Sequence, residues 1–379
     1  MKLLIPTASG LEQTVKRQLF KLGYEKAPAF NGRIEVEGDF FDVAKLNIRL
    51  RSGERVLIKL AEFEAKTFDD LFDGIYAIDW ENWLESDSKI LMDGKSVQSA
   101  LGAIKVTGGV AKKAIIRRLS DKKRSGRQTF SETGARSIIG ISLYKDVATI
   151  TLDTSGEGLH KRGYRTLAYT APLKETFAAA LIDNTFYTAE NAEDKIFADL
   201  FCGSGTLPIE AALKALNIAP NLERKFDFES WKFVDKKTVT LAREQAKDEE
   251  RRDRKLKIYG SDINPKAVSI AKYLAKQAGV YEYIDFSVAD MRKFRSEEKY
   301  GVLLSNPPYG ERLEDEKTAR LLMKDFGQVY RALSDWSAYV LTSLPEFERY
   351  FGKRADKKKK LFNANLPCGF YSYLGKYQK

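Results

Sequence analysis

The chain is poor in the residues that bind metals and form disulfides. Its 379 residues include two cysteines, Cys202 and Cys368, and a single histidine, His160. None of their spacings suits zinc, and two cysteines cannot build a disulfide framework, so we expect no metal and a reducing compartment. The apolar run at the start is too short for a signal peptide, and no run is long enough to span a bilayer. These absences favour a cytoplasmic location without membrane contact.

Positive charge, in contrast, is in excess. The 64 Lys and Arg residues outnumber the 53 Asp and Glu residues, which gives a formal net charge of +11. Such a balance suits a polyanionic partner, most often a nucleic acid, although many basic proteins bind none. Apolar residues make up 43% of the chain, enough for sizeable cores, and the length favours two or three domains.

The order of apolar patterns divides the chain into four segments. Residues 1–65 alternate strand, helix, strand, helix and strand, which predicts a small ferredoxin-like α+β domain. Residues 66–155 contain a strongly basic helix, and residues 156–172 are a Gly-rich, polar linker. Residues 173–379 alternate helices with buried strands, which predicts a mostly parallel sheet. A charged insert between its first two strands, "KKTVTLAREQAKDEERRDRK", is predicted to be a surface helix.

The segment "ADLFCGSGTLPIEAA" predicts a strand, a Gly-x-Gly turn and a helix, the arrangement of many nucleotide-cofactor sites. A Walker loop is absent, and Leu-Pro stands where a dinucleotide fingerprint would have its third glycine. Asp199 before the turn would repel a pyrophosphate but suits a cation. S-adenosylmethionine, which carries an ammonium and a sulfonium and no phosphate, therefore fits best. Taken alone, the motif is equally compatible with an ordinary tight turn.

Two further acids follow the next predicted strands. Asp262 in "YGSDINP" could accept both ribose hydroxyls, and Asp290 in "SVADMRKF" could accept the adenine amine. Each alone could instead be a helix cap or a solvated turn acid. Because the ends of successive parallel strands share one edge, the three acids together indicate one crevice. The predicted cofactor-binding set is Asp199, Gly203, Gly205, Thr206, Asp262, Ile263, Asp290, Met291 and Asn306.

A rigid corner, "SNPPYG", ends the fourth predicted strand. Pro307 and Pro308 fix φ and donate no hydrogen bond, so the carbonyls of Asn306 and Pro307 stay available as acceptors. With the Asn306 amide oxygen they could hold both protons of an exocyclic amine. Tyr309 offers a ring on which a base could stack, worth about 1–3 kcal/mol. We predict that these four residues are catalytic; the competing interpretation is a proline-rich strand end with a packed tyrosine.

Cations cluster in two places that could contact phosphates. The basic helix has only Asp121 opposing it in sequence, and the linker segment "LHKRGYR" mixes cations with an aromatic residue. The competing interpretations are a solvated helix face and a structural linker. The predicted RNA-binding residues are Lys112, Lys113, Arg117, Arg118, Lys122, Lys123, Arg124, Arg127, Lys161, Arg162 and Arg165.

The motifs "DLFCGSGT", "SDINP", "VADM" and "SNPPYGERL" resemble those of class I S-adenosylmethionine-dependent amino-methyltransferases. The preceding segments, with "GKSVQSALGAIKVTGGVAKKAIIRRL", are similar to THUMP-domain RNA guanine-N2 methyltransferases of bacterial 23S rRNA. The resemblance implies a Rossmann-like class I methyltransferase domain preceded by a ferredoxin-like domain and a THUMP domain. It also implies S-adenosylmethionine as cofactor and RNA as partner, either 23S rRNA or a ribosome-assembly intermediate. The chain matches only the THUMP-plus-N2-methyltransferase half of the longer fusion enzymes.

Two other functions stay open at this stage. An Asn-Pro-Pro-Tyr corner serves adenine N6 and guanine N2 alike, so a DNA adenine-N6 methyltransferase is the alternative enzyme. A non-catalytic RNA-binding protein of ribosome assembly is the alternative outside enzymes, although the intact acids and corner argue against it. The sequence does not specify the oligomeric state or the modified nucleotide.

Overall fold

The computed structural model describes residues 1–122, 131–167, 172–309 and 313–376, without the side chains of residues 313–316. Two seven-stranded sheets organise these residues, one in the N-terminal half and one in the C-terminal half. None of the helices described is both long enough and apolar enough to cross a bilayer. The described residues also contain no group of three or more His, Cys, Asp or Glu residues that could hold a metal ion.

The ferredoxin-like segment has the predicted strand and helix order, with one additional short strand. Asp39 begins the second helix with a capping box, in which its carboxylate accepts hydrogen bonds from the backbone amides of Phe41 and Asp42. The elements are β1 (Lys2–Pro6), α1 (Glu12–Lys21), β2 (Ala29–Phe30), β3 (Arg33–Glu37), α2 (Phe40–Arg49) and β4 (Leu57–Glu64).

The next segment continues the same sheet, a feature that the sequence division at residue 65 did not anticipate. The sheet order is β2-β3-β1-β4-β7-β6-β5, and β4 pairs antiparallel with β7 along most of its length. Lys145 and Asp146, both with positive φ, form the tight turn between β6 and β7. The elements are α3 (Phe68–Tyr76), β5 (Lys89–Val97), α4 (Ile104–Lys122), β6 (Arg136–Tyr144) and β7 (Val147–Asp153).

The C-terminal sheet has the order β10-β9-β8-β11-β12-β14-β13, in which β8 to β12 are parallel and β14 is antiparallel. The strands are β8 (Ile196–Asp199), β9 (Lys257–Asp262), β10 (Ile284–Val288), β11 (Val302–Ser305), β12 (Ser337–Thr342), β13 (Lys357–Asn363) and β14 (Leu366–Tyr373). The strand order reverses between β8 and β11, which creates a crevice at their carboxyl ends. The prediction of a Rossmann-like α/β domain is confirmed.

Helices of the C-terminal half pack on both faces of this sheet, and one more packs against α2 of the N-terminal half. The helices are α5 (Glu175–Asp183), α6 (Thr206–Ala215), α7 (Lys236–Asp248), α8 (Pro265–Gln277), α9 (Leu313–Arg331) and α10 (Phe347–Phe351). One hydrophobic core contains residues of α5, α6 and α8, and a separate core contains residues of α9 and α10. The charged insert forms α7 as predicted, but it is not only a surface helix. Its residues Val239, Ala242 and Ala246 are buried in the core of the N-terminal half.

Arg162 lies buried at the junction between the two halves, so its predicted role in RNA binding is wrong. Its guanidinium lies 3.4 Å from the Glu210 carboxylate and also donates to the carbonyl oxygens of Leu50, Leu159 and Arg51. The side chains of Arg162 and Glu210 are 1% and 0% exposed. Because every contact of this cation is internal, it fastens the linker and α6 to the N-terminal half.

Candidate active site

The Gly-x-Gly turn and the second-strand acid form a single hydrogen-bonded unit at the crevice. Asp262 Oδ2 accepts from the backbone amide of Gly203 at 3.0 Å, and Oδ1 accepts from the amide of Asn264 at 2.9 Å. Gly203 and Gly205 have φ values of 51° and 82°, in the left-handed region. A Cβ on Gly205 would lie 2.9 Å from the Ala271 Cβ, so this glycine also permits close helix packing. The carboxylate therefore fixes the turn, and its contact with the cofactor ribose stays a prediction.

Asp199 is buried beneath this turn with an unusual protonation equilibrium. Its Oδ1 accepts from the Ser305 hydroxyl at 2.8 Å and from the Phe201 amide at 3.1 Å. Burial raises the pKa of Asp199 to about 7, although the hydrogen bonds from Ser305 and Phe201 favour the ionised carboxylate and lower the pKa. The nearby negative charge of Asp262 raises it further. A cation placed between the two acids would offset this repulsion.

Ser305 connects two parts of the candidate site, and it was not predicted from the sequence. Its hydroxyl donates to Asp199 at the end of β8 and accepts from the Leu200 amide at 3.2 Å. Ser305 directly precedes Asn306, so this hydrogen-bonded pair ties the acid of the first strand to the corner of the fourth. A serine before the corner is a weak sequence signal. Its hydrogen bond to Asp199 can be predicted only once β8 and β11 are known to be neighbours in the sheet.

The corner has its two predicted polar groups in direct contact. The Tyr309 hydroxyl donates to Asn306 Oδ1 at 2.8 Å, and the Tyr309 ring is half-buried against the core of α9 and α10. Pro307 is buried, whereas Pro308 is exposed. An amide oxygen has two acceptor positions, so the contact with Tyr309 orients Asn306 and leaves room for a second donor. This arrangement is suited to holding an amine.

Asp290 caps a helix, as the interpretation that competed with ligand binding predicted. It caps the short 3-10 helix Met291–Lys293, and its carboxylate accepts a bidentate contact from Arg292, with a closest distance of 2.7 Å. The Arg292 hydrogen bonds lower the pKa of Asp290. Contact with an adenine amine stays a prediction, and the amine would share the carboxylate with Arg292.

The two apolar residues predicted beside the cofactor lie in different environments. The Met291 side chain is buried in the core of α9 and α10, so a direct side-chain contact with the cofactor is wrong. Ile263, in contrast, is 68% exposed directly after Asp262, and Val288 at the end of the neighbouring strand is 55% exposed. This apolar surface at the carboxyl edge suits the flat face of a base.

Arg165 contacts the Gly turn rather than facing outward as the RNA-binding prediction implied. Its guanidinium donates to Glu175 at 2.6 Å, to the Thr206 hydroxyl at 2.7 Å and to the Ser204 hydroxyl at 3.2 Å. Its side chain is 18% exposed. These contacts hold the start of α6 against α5, and they explain the position of Thr206 at the crevice. Lys161, by contrast, is exposed and pairs with Glu157 at 3.2 Å.

The basic helix α4 carries more ion pairs than its sequence indicated. Arg118 pairs with both Asp79 and Glu81, and Lys122 lies 3.6 Å from Glu81. The remaining pairs are Lys112 with Glu132 at 2.5 Å and Arg117 with Asp121 at 2.8 Å. The expectation that only Asp121 opposes this helix is therefore wrong, since acids from neighbouring segments reach it.

Lys113 stands apart from these pairs because it is exposed and has no ion pair among the described residues. Three other predicted RNA-binding residues, Lys123, Arg124 and Arg127, lie outside the described part of the chain. Among the predicted RNA-binding residues of α4 that the structure describes, Lys113 is therefore the best placed for a phosphate contact.

Comparison with known proteins agrees with this architecture. Residues 2–57 match the RlmL ferredoxin-like domain, residues 65–153 match the THUMP domain, and residues 162–372 match the RMKL-like methyltransferase domain. The protein YpsC of Bacillus subtilis (strain 168) is 41% identical over 374 residues, with 98% of this chain and 96% of YpsC covered. The ribosomal RNA large subunit methyltransferase K/L of Psychromonas ingrahamii is 36% identical over 97% of this chain but only 49% of its own length.

Two solved structures superpose over nearly the whole chain. SMU.472, solved in complex with SAH, is 39% identical with a TM-score of 0.93 and covers 100% of this chain and 99% of its own. A structure from Listeria monocytogenes str. 4b F2365, described as a predicted N6-adenine-specific DNA methylase, is 43% identical with a TM-score of 0.93. It covers 99% of this chain and 96% of its own.

The crevice, its acids and its corner define a class I methyltransferase that uses S-adenosylmethionine. The chain belongs to the RMKL-like family of S-adenosylmethionine-dependent RNA methyltransferases.

The titration of Asp199 gives a testable pH dependence of cofactor affinity. A cationic ligand beside Asp199 requires the ionised carboxylate, so affinity should fall up to tenfold for each pH unit below about 7. We expect Asp199→Asn to bind S-adenosylhomocysteine more weakly at pH 8 and to lose this pH dependence. Isothermal titration calorimetry between pH 5.5 and 8.5 measures both effects. An unchanged slope in the variant would assign the titration to another group.

The same carboxylate should lower the stability of the unliganded protein at high pH. The pKa of Asp199 is about 7 in the folded state against a usual 3.8, so the folded protein binds the extra proton between these values. Its contribution to stability therefore falls as pH rises from about 4 to 7. Thermal unfolding of Asp199→Asn should occur at a higher temperature than wild type at pH 8, with a smaller difference at pH 4.5.

Proposed function

We propose that this protein transfers a methyl group to the exocyclic N2 of a guanine in RNA, most directly 23S rRNA. The observation that carries the proposal is the Tyr309–Asn306 hydrogen bond at the end of β11, which presents an oriented amide oxygen beside the Asp199–Asp262 acid pair. The match of residues 65–153 to the THUMP domain supports RNA as the partner. The K/L relative, named for large-subunit ribosomal RNA, supports the choice of 23S rRNA.

The residues of the crevice fit S-adenosylmethionine. Two neighbouring acids, one of them buried with a raised pKa, suit its cationic groups. The glycines of the turn have no side chain that would occupy the space of the ligand. Asp262 would hold the ribose hydroxyls, Asp199 the methionine end, and Ile263 the adenine face. When bound, the cofactor supplies an electrophilic methyl group on sulfur.

The corner would prepare the base nitrogen for attack. An exocyclic amine is a poor nucleophile because its lone pair is delocalised into the ring. Asn306 Oδ1 and the Pro307 carbonyl would accept its two protons and direct the lone pair toward the methyl group. Positioning of this kind can contribute up to about 7–11 kcal/mol to lowering a barrier at ideal alignment. The Tyr309 ring would stack on the base after it leaves its helix, at a cost of a few kcal/mol.

A strong general base is not required in this mechanism, because the amine nitrogen becomes acidic once methylated. His160, the only histidine, lies near Glu54, with 3.9 Å between Nδ1 and the carboxylate. Burial lowers the pKa of His160. Glu54 belongs to the N-terminal half, so we assign His160 a structural role and leave the proton to solvent.

Adenine N6 in DNA is the second candidate, and one observation favours it. The Listeria structure, similar over nearly the whole chain, is described as a predicted N6-adenine-specific DNA methylase, and the corner suits either amine. The match of residues 65–153 to the THUMP domain favours RNA over DNA.

The experiment that tests the proposal identifies the labelled nucleoside. The pure protein is incubated with methyl-labelled S-adenosylmethionine and, separately, unmethylated 23S rRNA, tRNA and duplex DNA, followed by digestion and chromatography. We expect label in N2-methylguanosine from 23S rRNA. Label in N6-methyladenine from DNA would replace the proposal with the second candidate, and label in tRNA alone would correct the substrate. RNA binding without label would favour the assembly-protein alternative.

The exposed Lys113 gives a prediction for the THUMP segment. Lys113→Glu should weaken RNA binding and reduce the slope of log affinity against log salt by about 1, because one phosphate contact is lost. Lys237→Glu on α7 is a matched control, since this lysine is exposed and also lacks an ion pair among the described residues. Filter binding from 50 to 200 mM salt measures the slopes. Equal slopes for the two variants would mean that α4 is a solvated face.

A further inference from the structure

A basic groove lies between α9 and α10, outside the crevice. Its volume is about 550 Å³, and five of the nine residues that line it are Lys or Arg, with no Asp or Glu among them. Tyr350 provides an aromatic wall, with the Arg320 guanidinium 5.2 Å from its ring centroid. The cations are Lys317, Arg320, Lys324, Arg331 and Arg349.

The spacing of these residues gives the groove a direction. Lys317, Arg320, Lys324 and Arg331 recur at intervals of three, four and seven residues, so they lie on one face of α9. At 1.5 Å per residue, the row from Lys317 to Arg331 is about 21 Å long. Lys317 follows Tyr309 by only eight residues. The row therefore starts close to the corner in sequence and runs along the helix away from it.

Two of these cations are available for a partner. Lys317 and Lys324 are exposed, and neither has an ion pair with a described residue. This differs from α4, where Lys112, Arg117 and Arg118 are all paired with acids. A lysine without an ion pair to a described residue gives up no such pair when it binds an anion, so its charge contributes to affinity.

The groove also lies on the side of the sheet that the N-terminal half leaves uncovered. Leu11 of the N-terminal half shares a core with α5, α6 and α8, and Arg51 donates to the carbonyl oxygen of Ile218 just beyond α6. Helices α9 and α10 belong to the core on the opposite face. A polyanion bound in the groove would therefore contact the face of the C-terminal sheet opposite to the one that packs against the N-terminal half.

We propose that the groove between α9 and α10 binds the phosphodiester backbone of the RNA substrate, as a second anchor besides the THUMP segment. This inference rests on the proposed function in one respect, namely that the substrate is RNA. Lys317, Arg320 and Lys324 on one face of α9, beside the Tyr350 ring, suit a phosphate chain with unstacked bases. Arg331 instead donates to the Phe351 carbonyl oxygen, and Arg349 pairs with Glu346. Binding on this face would hold the RNA next to the corner while the target base is out of its helix.

The test uses the full chain with the double substitution Lys317→Glu and Lys324→Glu. Lys236→Glu with Lys237→Glu on α7 is the matched control, since it changes the net charge equally at two exposed lysines that have no ion pair with a described residue. Affinity for an unmethylated 23S rRNA fragment is measured from 50 to 200 mM salt, and affinity for S-adenosylhomocysteine is measured by calorimetry. We expect the groove variant to bind RNA at least tenfold more weakly than the control variant, with a salt slope smaller by about 1.5–2 and unchanged cofactor affinity.

Equal RNA affinities for the groove and control variants would overturn the proposal, because net charge alone would then explain the loss. Weaker cofactor binding in the groove variant would also overturn it, since the effect would then act through the crevice. The readout is binding and requires no methyl transfer. A wrong base or substrate in the nucleoside assay would therefore refute the proposed function separately.

Discussion

Replacement of Asn306 by alanine is expected to reduce methyl transfer roughly 100- to 1000-fold, by analogy with the loss of one preorganised polar group from an active site. The variant removes the amide oxygen that Tyr309 orients at 2.8 Å, and with it one of two acceptors for the amine protons. Cofactor affinity should stay within about twofold, because Asp199 and Asp262 keep their hydrogen bonds to Ser305 and Gly203. Single-turnover kinetics and calorimetry separate the two effects.

Tyr309→Phe is the matched comparison for this variant. It retains the ring for stacking but removes the hydroxyl that orients Asn306, so we expect a smaller loss than in Asn306→Ala. Tyr309→Ala should lose more than Tyr309→Phe by roughly the stacking energy, about 1–3 kcal/mol. Wild-type turnover in Asn306→Ala would eliminate the corner as the amine clamp. A large loss of cofactor affinity would instead assign Asn306 to the cofactor.

Replacement of Arg162 by methionine is expected to lower the free energy of unfolding by about 3–5 kcal/mol, the cost of leaving a buried charge without its partner. Glu210 is fully buried, and its other oxygen, Oε2, already has no hydrogen-bond partner among the residues that the structure describes. Arg162 also donates to three backbone carbonyls at the junction; the variant removes this donor from Leu159 and Arg51, whereas the Leu50 carbonyl keeps the Asn221 side-chain amide at 3.4 Å. Urea unfolding at pH 8 measures the change.

The pH dependence of this variant distinguishes the buried charge from lost packing. Burial raises the pKa of Glu210, and removal of Arg162 would remove a cation that opposes this shift. The folded variant would then bind a proton that the unfolded chain releases, so its deficit relative to wild type should shrink as pH falls. Arg162→Met with Glu210→Met should recover part of the stability. A loss below about 1 kcal/mol at pH 8 would mean that water reaches the junction.

The general architecture could be read from the sequence because it depends on local patterns. Pro265 at the start of α8, with Asn264 as its N-cap, and the alternation of helices with buried strands gave the parallel sheet. The three acids could be placed at one edge because the ends of parallel strands share that edge. Both cysteines are buried and free, Cys202 in the turn and Cys368 in β14.

The site details that were wrong depend on contacts between distant residues. Arg162 and Arg165 stand three positions apart in one cationic segment, yet one is buried against Glu210 and the other binds the Gly turn. Nothing in the local pattern specifies which side of the loop each cation faces. The same holds for Arg118, whose partners Asp79 and Glu81 lie almost 40 positions away. Ser305 acquires its role only because β8 and β11 are neighbours in the sheet.

The most direct test of the central claim, that the corner presents a guanine N2 amine for methylation, removes that amine from the substrate. Once the labelled nucleotide is mapped in 23S rRNA, a synthetic fragment is prepared with inosine, which lacks the exocyclic amine, at that single position. The account predicts label with guanosine, none with inosine, and similar binding of both fragments. Label on the inosine fragment at the wild-type rate would contradict the account, because the methyl group would then be transferred to another atom.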